Sequence, residues 1–336
     1  MFKSMRWSRW GVLFLCCALA MMLAACGEGD DVNQVKVALS FPLGLTVGED
    51  MLHGAELALE EANYQAGDVT IEPLIANTSD PEGSPVSPEM EKAAAEAASQ
   101  DPEVVGYLGG ATSDQTGAAM LALNEAGIVQ LSASATWPGL TKPGFKPGEP
   151  GIYYPTGRRH FFRVATSDDV QGVLAAQWAA DLGVERTYII DDEGAYGQGI
   201  AGIFEVSVSD YDIEVVRRDS FPGADASEAD LTSLSEEIIA AQPDLLYLGT
   251  SLATGEQAFL SVFQELNRAS ETEIMVMVPD GMVQDQLFDE LGVELTDDIY
   301  ATNIIVPGGR TRYASGPGFS DRLSGSLWQS AAALRR

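Results

Sequence analysis

Residues 104–136 read VVGYLGGATSDQTGAAMLALNEAGIVQLSASAT, and the order of residue types in this stretch decides the fold class. Val104 to Leu108 is a short β-branched and aromatic run, and Ile128 to Leu131 is a second, so each is a candidate strand. The first runs into Gly109-Gly110-Ala111-Thr112-Ser113 ahead of a helix start, and the second into Ser132-Ala133-Ser134-Ala135-Thr136. Strand, helix, strand at this spacing needs a crossover, which sets the two strands side by side and parallel.

The same alternation extends in both directions. Further candidate strands are Val35 to Phe41, Val69 to Ala76, Phe161 to Val164, Thr187 to Ile190, Ile213 to Arg217, Leu245 to Leu248, Ile274 to Val278 and Ile299 to Val306. Helical stripes lie between them: Leu52, Ala55, Leu59 and Ala62 within Gly48 to Tyr64, and Leu231, Leu234, Ile238 and Ala241 within Ala226 to Gln242. The expected class is α/β, with parallel sheets covered by helices on both faces. Trp137 to His160 interrupts the alternation with five prolines and five glycines and reads as a long surface loop. About four strand-helix units flank it on either side, which implies two similar Rossmann-like lobes, 35–160 and 161–300, with Phe161 to Val164 as a strand crossing between them.

At 336 residues the chain is long enough for two cores. Its 50 acidic residues against 19 basic ones give a formal charge of -31, which repels a phosphate backbone and argues against nucleic-acid binding. Two histidines and three cysteines argue against His-rich metal sites and disulfide frameworks. All three cysteines fall near the N-terminus, where Lys3, Arg6 and Arg9 precede the apolar run Gly11 to Ala25 in the layout of a secretory signal. Leu23-Ala24-Ala25-Cys26-Gly27 resembles a bacterial lipobox, so residues 1–25 are expected to be cleaved and Cys26 lipidated, with 26–34 as a tether. The protein would then be extracytoplasmic and touch the membrane only through its lipid. Residues 301–336 are expected to be a hinge return and an atypical tail. From Pro307 onward Arg310, Arg312, Arg322, Arg335 and Arg336 face one acid, Asp321. A solvated basic tail and a truncated or frame-shifted end both account for it, with the second preferred.

Catalytic motifs are absent: no phosphate loop, no dinucleotide fingerprint, no zinc-protease helix and no serine elbow. His53 and His160 have no nucleophile nearby in sequence, and Asp191-Asp192 reads more simply as a solvated strand end than as an acid pair. In parallel sheets, ligands sit at the carboxyl ends of strands. In the first lobe these ends carry hydroxyls and open amides, which favour an anion. In the second they read Asp191-Asp192-Glu193 with Tyr196, Gly249-Thr250-Ser251 and Pro279-Asp280-Gly281, of which two favour a cation. A small zwitterion between the lobes would satisfy both sets. Helix caps and turns would also account for them, and spacing alone leaves the two readings level.

At these residues the sequence resembles the branched-chain amino-acid-type substrate-binding proteins of ABC importers, which have the type I periplasmic-binding-protein fold. The resemblance rests on Val35-Lys36-Val37-Ala38-Leu39 with Gly54-Ala55-Glu56-Leu57-Ala58, on Ser132 to Thr136 with Leu140-Thr141, and on Phe162-Arg163-Val164 leading to Asp168-Asp169-Val170-Gln171-Gly172. It also rests on Asp192 to Tyr196-Gly197-Gln198-Gly199 and on Pro279-Asp280-Gly281. It implies that Ser113, Ser134, Ala135 and Thr136 hold an α-carboxylate through hydroxyl and backbone groups, that Tyr196 faces the ligand, and that Asp280 pairs with the ammonium. Further implications are an amino acid or similar small zwitterion as ligand, ABC permease subunits as partners, no cofactor and no catalysis. An amide, a urea-like compound or a small organic acid is the alternative solute, and a sensory ligand-binding subunit the alternative role. The aromatic rings that often wall the family's side-chain pocket near Thr46 and Ser251 are missing here, and Trp137, Tyr153 and Tyr154 are candidates to replace them. The family also completes its first lobe with further elements after the strand matched by Ile299 to Val306, which this sequence does not visibly do.

Overall fold

The computed structural model describes residues 33–80, 86–220, 227–251, 262–266, 274–283 and 299–303. The signal sequence, Cys26 and the basic tail therefore lie outside the described residues.

The first lobe holds β1 (Gln34–Phe41), α1 (Thr46–Glu61), β2 (Gln65–Ala66), β3 (Val69–Asn77), α2 (Pro88–Gln100), β4 (Val104–Leu108), α3 (Ser113–Ala126), β5 (Val129–Ser132) and β6 (Phe161–Arg163). Its sheet runs β2-β3-β1-β4-β5-β6 and is parallel except for the short β2, which folds back on β3. The stretch that opened the reading behaves as expected: β4 and β5 are parallel neighbours, with Gly106 opposite Val129 and Leu108 opposite Leu131. Local chemistry sets the helix starts. Ser87 accepts from the Met90 amide ahead of Pro88 in the first turn of α2, and Thr112 forms a capping box with Gln115 at α3.

The second lobe holds α4 (Asp168–Asp181), β7 (Arg186–Asp191), α5 (Ala195–Val208), β8 (Glu214–Ser220), α6 (Glu228–Ala241), β9 (Leu245–Gly249), β10 (Met275–Val278) and β11 (Ile299–Ala301). Its sheet, β11-β10-β9-β7-β8, is wholly parallel. Alternate residues serve opposite faces. Tyr188, Ile190, Leu246 and Leu248 join one core with Ile238 of α6, while Ile189, Leu245 and Tyr247 join another with Ala175, Ile200 and Phe204 of α4 and α5. The Phe204 and Tyr247 rings stack at 3.8 Å.

Two expectations need correction. The strand at 161–163 is not part of the second lobe: β6 hydrogen-bonds alongside β5, so the chain crosses after Arg163. Nor is 137–160 a purely superficial loop. Trp137, Leu140 and Tyr154 are buried in a core of their own with Met120, Ala135 and Phe161. Glu149 organises that core by accepting from Trp137 Nε1, Tyr153 OH and Lys146 N at 2.9, 2.9 and 3.0 Å. Proline and glycine density marked the irregular backbone correctly, but could not report that its aromatic side chains find one another.

Candidate functional site

In each sheet the crossovers leave a central strand toward opposite sides. β1 lies between β3 and β4, and β7 lies between β8 and β9. Loops diverge at the carboxyl ends of such strands and leave a crevice. The two crevices face each other, and together they form a cavity of about 480 Å³.

From the first lobe the cavity is lined by Ala111, Thr112, Ser113 and Asp114 at the start of α3, and by Ala133 and Ser134 after β5. The helix N-terminus supplies amides without intrahelical partners and the positive end of a dipole. The Ser113 hydroxyl accepts from the Trp137 amide at 3.0 Å, which leaves its proton for a ligand oxygen. The Ser134 hydroxyl donates to the Ala111 carbonyl, tying the β4 and β5 loops together. Among the sequence-selected residues, Ser113, Ser134, Tyr196 and Asp280 reach the cavity. Ala135 and Thr136 do not line it; both are buried behind its wall.

The second lobe contributes Asp192, Gly194, Tyr196, Ser251, Asp280, Gly281 and Val283. Tyr196 OH donates to Asp280 Oδ1 at 2.7 Å and accepts from Gly281 N at 3.1 Å. A Cβ at position 281 would sit 3.0 Å from the Tyr196 ring, so glycine is what lets the ring approach. Burial pushes the Asp280 carboxyl up from its ordinary value, opposed by the hydrogen bonds from Tyr196 and Gln171. Burial also raises the Tyr196 phenol, reinforced by the charges of Asp280 and Asp168, so Tyr196 stays a donor. The neighbouring acids are engaged differently. Asp191 is held by Arg218 at 2.7 and 3.1 Å and by Ser220 at 2.7 Å, and Asp192 accepts from Gly194 N and from Thr250 Oγ1 at 2.9 Å.

Two lobe-to-lobe contacts flank the cavity. The Asp114 carboxylate accepts from Ala195 N, so the first turn of α3 caps the start of α5. Trp137 lies against Gly199 of α5, where a Cβ would fall 2.3 Å from the indole ring.

The apolar end of the cavity comes from residues the sequence reading did not select. Pro42, Leu45, Val47, Met51, Val86 and Pro88 line it from the first lobe. Trp137, Tyr153 and Tyr154 do not, so the expected replacement of the family's aromatic wall is aliphatic and comes from the segment around Thr46 itself. Periodicity could not flag these positions, because Leu45 and Val47 sit where a strand gives way to a helix. Elsewhere, His53 is exposed on α1, and His160 is buried against Asn124, whose side-chain nitrogen lies 2.8 Å from its ring. No group of three or more potential metal ligands occurs among the described residues.

Residues 37–315 match the family described as periplasmic binding protein. A Leu/Ile/Val-binding protein, BraC3, from Rhizobium johnstonii is 27% identical over 60% of this chain and 50% of its own length, and a Leu/Ile/Val/Thr-binding protein from Salmonella typhimurium is 25% identical over 84% and 70%. The chain thus spans about half the length of the first of these relatives. Among solved structures, the leucine binding protein LivK of Thermotoga maritima superposes with a TM-score of 0.66 at 19% identity, over 86% of this chain and 74% of that one. A solute binding protein from Rhodopseudomonas palustris in complex with 3,4-dihydroxybenzoic acid superposes with a TM-score of 0.63 at 17% identity, over 77% and 66%. These likenesses establish the two-lobed fold.

Proposed function

Since the chain belongs to the periplasmic binding protein family, we propose that it is an extracytoplasmic solute-binding protein whose lobes close on an amino acid with an aliphatic side chain. The carrying observation is Asp280, a half-buried carboxylate on the cavity wall with no cationic side chain bonded to it among the described residues, opposite a helix N-terminus and the Ser113 hydroxyl. A buried anion is costly unless paired, and a ligand ammonium is the partner it lacks. The α-carboxylate then lies against the first turn of α3, and the side chain against Leu45, Val47, Met51 and Val86. Ala135 and Thr136 act from behind that wall by holding the β5 loop. Closure sequesters these polar contacts from water, and reopening releases the solute to the permease subunits of an ABC importer. Lipidation at Cys26 tethers the protein to the membrane.

Relatives named for binding leucine, isoleucine and valine support this reading, as does the aliphatic wall. The runner-up solute is a small organic acid, for which the benzoate-bound structural neighbour is the precedent. The Asp280 carboxylate on the cavity wall speaks against it. A calorimetric screen of L-amino acids, simple amides and aromatic acids decides between them. The expected result is binding of L-leucine, L-isoleucine or L-valine, with Asp280→Asn weakening it by about 1–3 kcal/mol, roughly 5- to 150-fold. Binding of a benzoate and of no amino acid, or an affinity untouched by Asp280→Asn, would overturn the assignment.

A further inference from the structure

Helix α5 carries glycines that the second lobe alone does not explain. Gly194 stands at its N-cap and brings no side chain to the free amides of the first turn, where Ser, Thr, Asp or Asn is the usual choice. Gly199 lies inside the helix, where glycine is a weak helix former. Gly197 has its reason within the lobe, since a Cβ there would fall 2.3 Å from the Gly249 carbonyl of β9. At Gly199 the three atoms nearest such a Cβ all belong to Trp137 of the first lobe, and the cap that Gly194 lacks comes from Asp114 of that same lobe.

The first lobe presents both groups on a rigid support. The two carboxylate oxygens of Asp114, in the first turn of α3, accept from Ala195 N at 3.0 and 3.2 Å. The Trp137 ring is only 4% exposed, its Nε1 donates to Glu149 at 2.9 Å, and Phe145 packs edge-on with ring centroids 5.4 Å apart. Ser113 joins the two pieces, since its hydroxyl accepts from Trp137 N at 3.0 Å and its backbone leads directly into Asp114. A ring held in this way has no room to swing aside for a methyl group on α5. Neither Trp137 nor Gly199 lines the cavity, and both lobe-to-lobe contacts are made between groups of the protein itself.

We propose that Asp114 and Trp137 form a latch that seats the first lobe on α5 and holds a substantial fraction of ligand-free molecules closed. The proposal rests on the closing lobes of the reading above, and not on which solute they close on. Opening gives up both contacts: the α5 amide returns to water, and the space left by Gly199 has nothing to fill it. Each contact therefore favours the closed form by an interaction that exists only there. Apparent affinity scales with the fraction of molecules in the binding-competent form, so the latch acts on every solute alike while the cavity walls choose between solutes. Asp114 is a positioning residue. Through Ala195 it fixes the start of α5, and the next residue along that helix is Tyr196, the partner of Asp280.

Small-angle X-ray scattering of the protein without added solute tests the latch. Gly199→Ala sets a methyl group against the indole ring while favouring the helix itself, so its circular dichroism is expected to match wild type while its radius of gyration rises. Asp114→Ala is expected to open the lobes as well, and to leave them open when Gly194→Ser gives α5 a cap of its own. With L-leucine, L-isoleucine and L-valine as probes, Gly199→Ala is expected to weaken all three by one common factor of about tenfold and to keep their ranking. If Gly199→Ala loses helical signal, the Asp114→Ala curve decides by itself. Scattering identical to wild type in both variants, a wild-type curve regained with Gly194→Ser, or a changed ranking of the three probes would overturn the latch. Opened variants of a wild type that binds none of the three amino acids would instead support the latch and overturn the amino-acid reading.

Discussion

The two lobes are wound alike but packed differently. In the second, β9 is buried at every position and helices cover both faces of the sheet. In the first, α2 and α3 cover one face through Ala95, Ala98, Ala119 and Leu123, while Val105, Val129 and Phe162 on β4, β5 and β6 remain about half exposed. α1 lies beside β1, yet Gly48 is its only buried residue. The lobes also treat buried acids differently. Asp191 of the second is paired with Arg218, whereas Glu91 of the first, fully buried, is held by hydroxyls, among them those of Tyr107 and Ser40 at 2.8 and 3.1 Å. Similar winding therefore fixes where the cavity lies but not how its supports are stabilised.

That contrast can be broken most easily at matched phenylalanines. Phe204→Ala removes a ring buried on all sides and stacked on Tyr247, and is expected to cost about 3–5 kcal/mol in urea denaturation. A loss below about 1 kcal/mol would mean that the second lobe is no better packed than the first.

A pH series sharpens the acid comparison. Burial raises the Glu91 carboxyl from 4.5 to about 7, against the opposing hydrogen bonds of Tyr107 and Ser40. The folded state holds that proton where the unfolded chain has released it. The resulting stabilisation is complete below pH 4.5 and is lost as the pH rises to about 7, an effect of about 3 kcal/mol. Glu91→Gln keeps the shape without the charge. Its stability relative to wild type is expected to grow across that window and stay level above it, and a parallel pair of pH profiles would refute the assignment.

The smallest effect is expected at Phe162→Ala. With its side chain largely in water, the change should stay within about 0.5 kcal/mol. A loss approaching that of Phe204→Ala would mean that the half-exposed face of the first sheet is more fully covered in solution.

Much of the site was legible because it follows from the strand ends. Ser113, Ser134, Tyr196 and Asp280 lie at strand ends that the alternation marked, the family resemblance singled them out there, and all four line the cavity. Asp168 was quoted only as part of a matching stretch, since an acid in the first turn of a helix is an ordinary sight; its isolation from any partner is a property of three-dimensional packing. The aliphatic wall was missed for a related reason. Leu45, Val47, Met51 and Val86 come from separate segments with no shared period, and only the fold brings them to one surface.

By itself the sequence determined the alternation of strand and helix, the parallel sheets that this alternation requires, and the polar residues placed at the strand ends. Those are local properties of the chain, set by side-chain period and turn chemistry. The tertiary structure alone decided that β6 stays with the first sheet, that Trp137 bears on α5, that Ala135 and Thr136 stand behind the cavity wall, and that both carboxylate oxygens of Asp168 are buried without a hydrogen-bond partner. Each of these depends on distances between segments far apart in the chain, and burial, which governs the charge of an acid, is defined only once those segments have met.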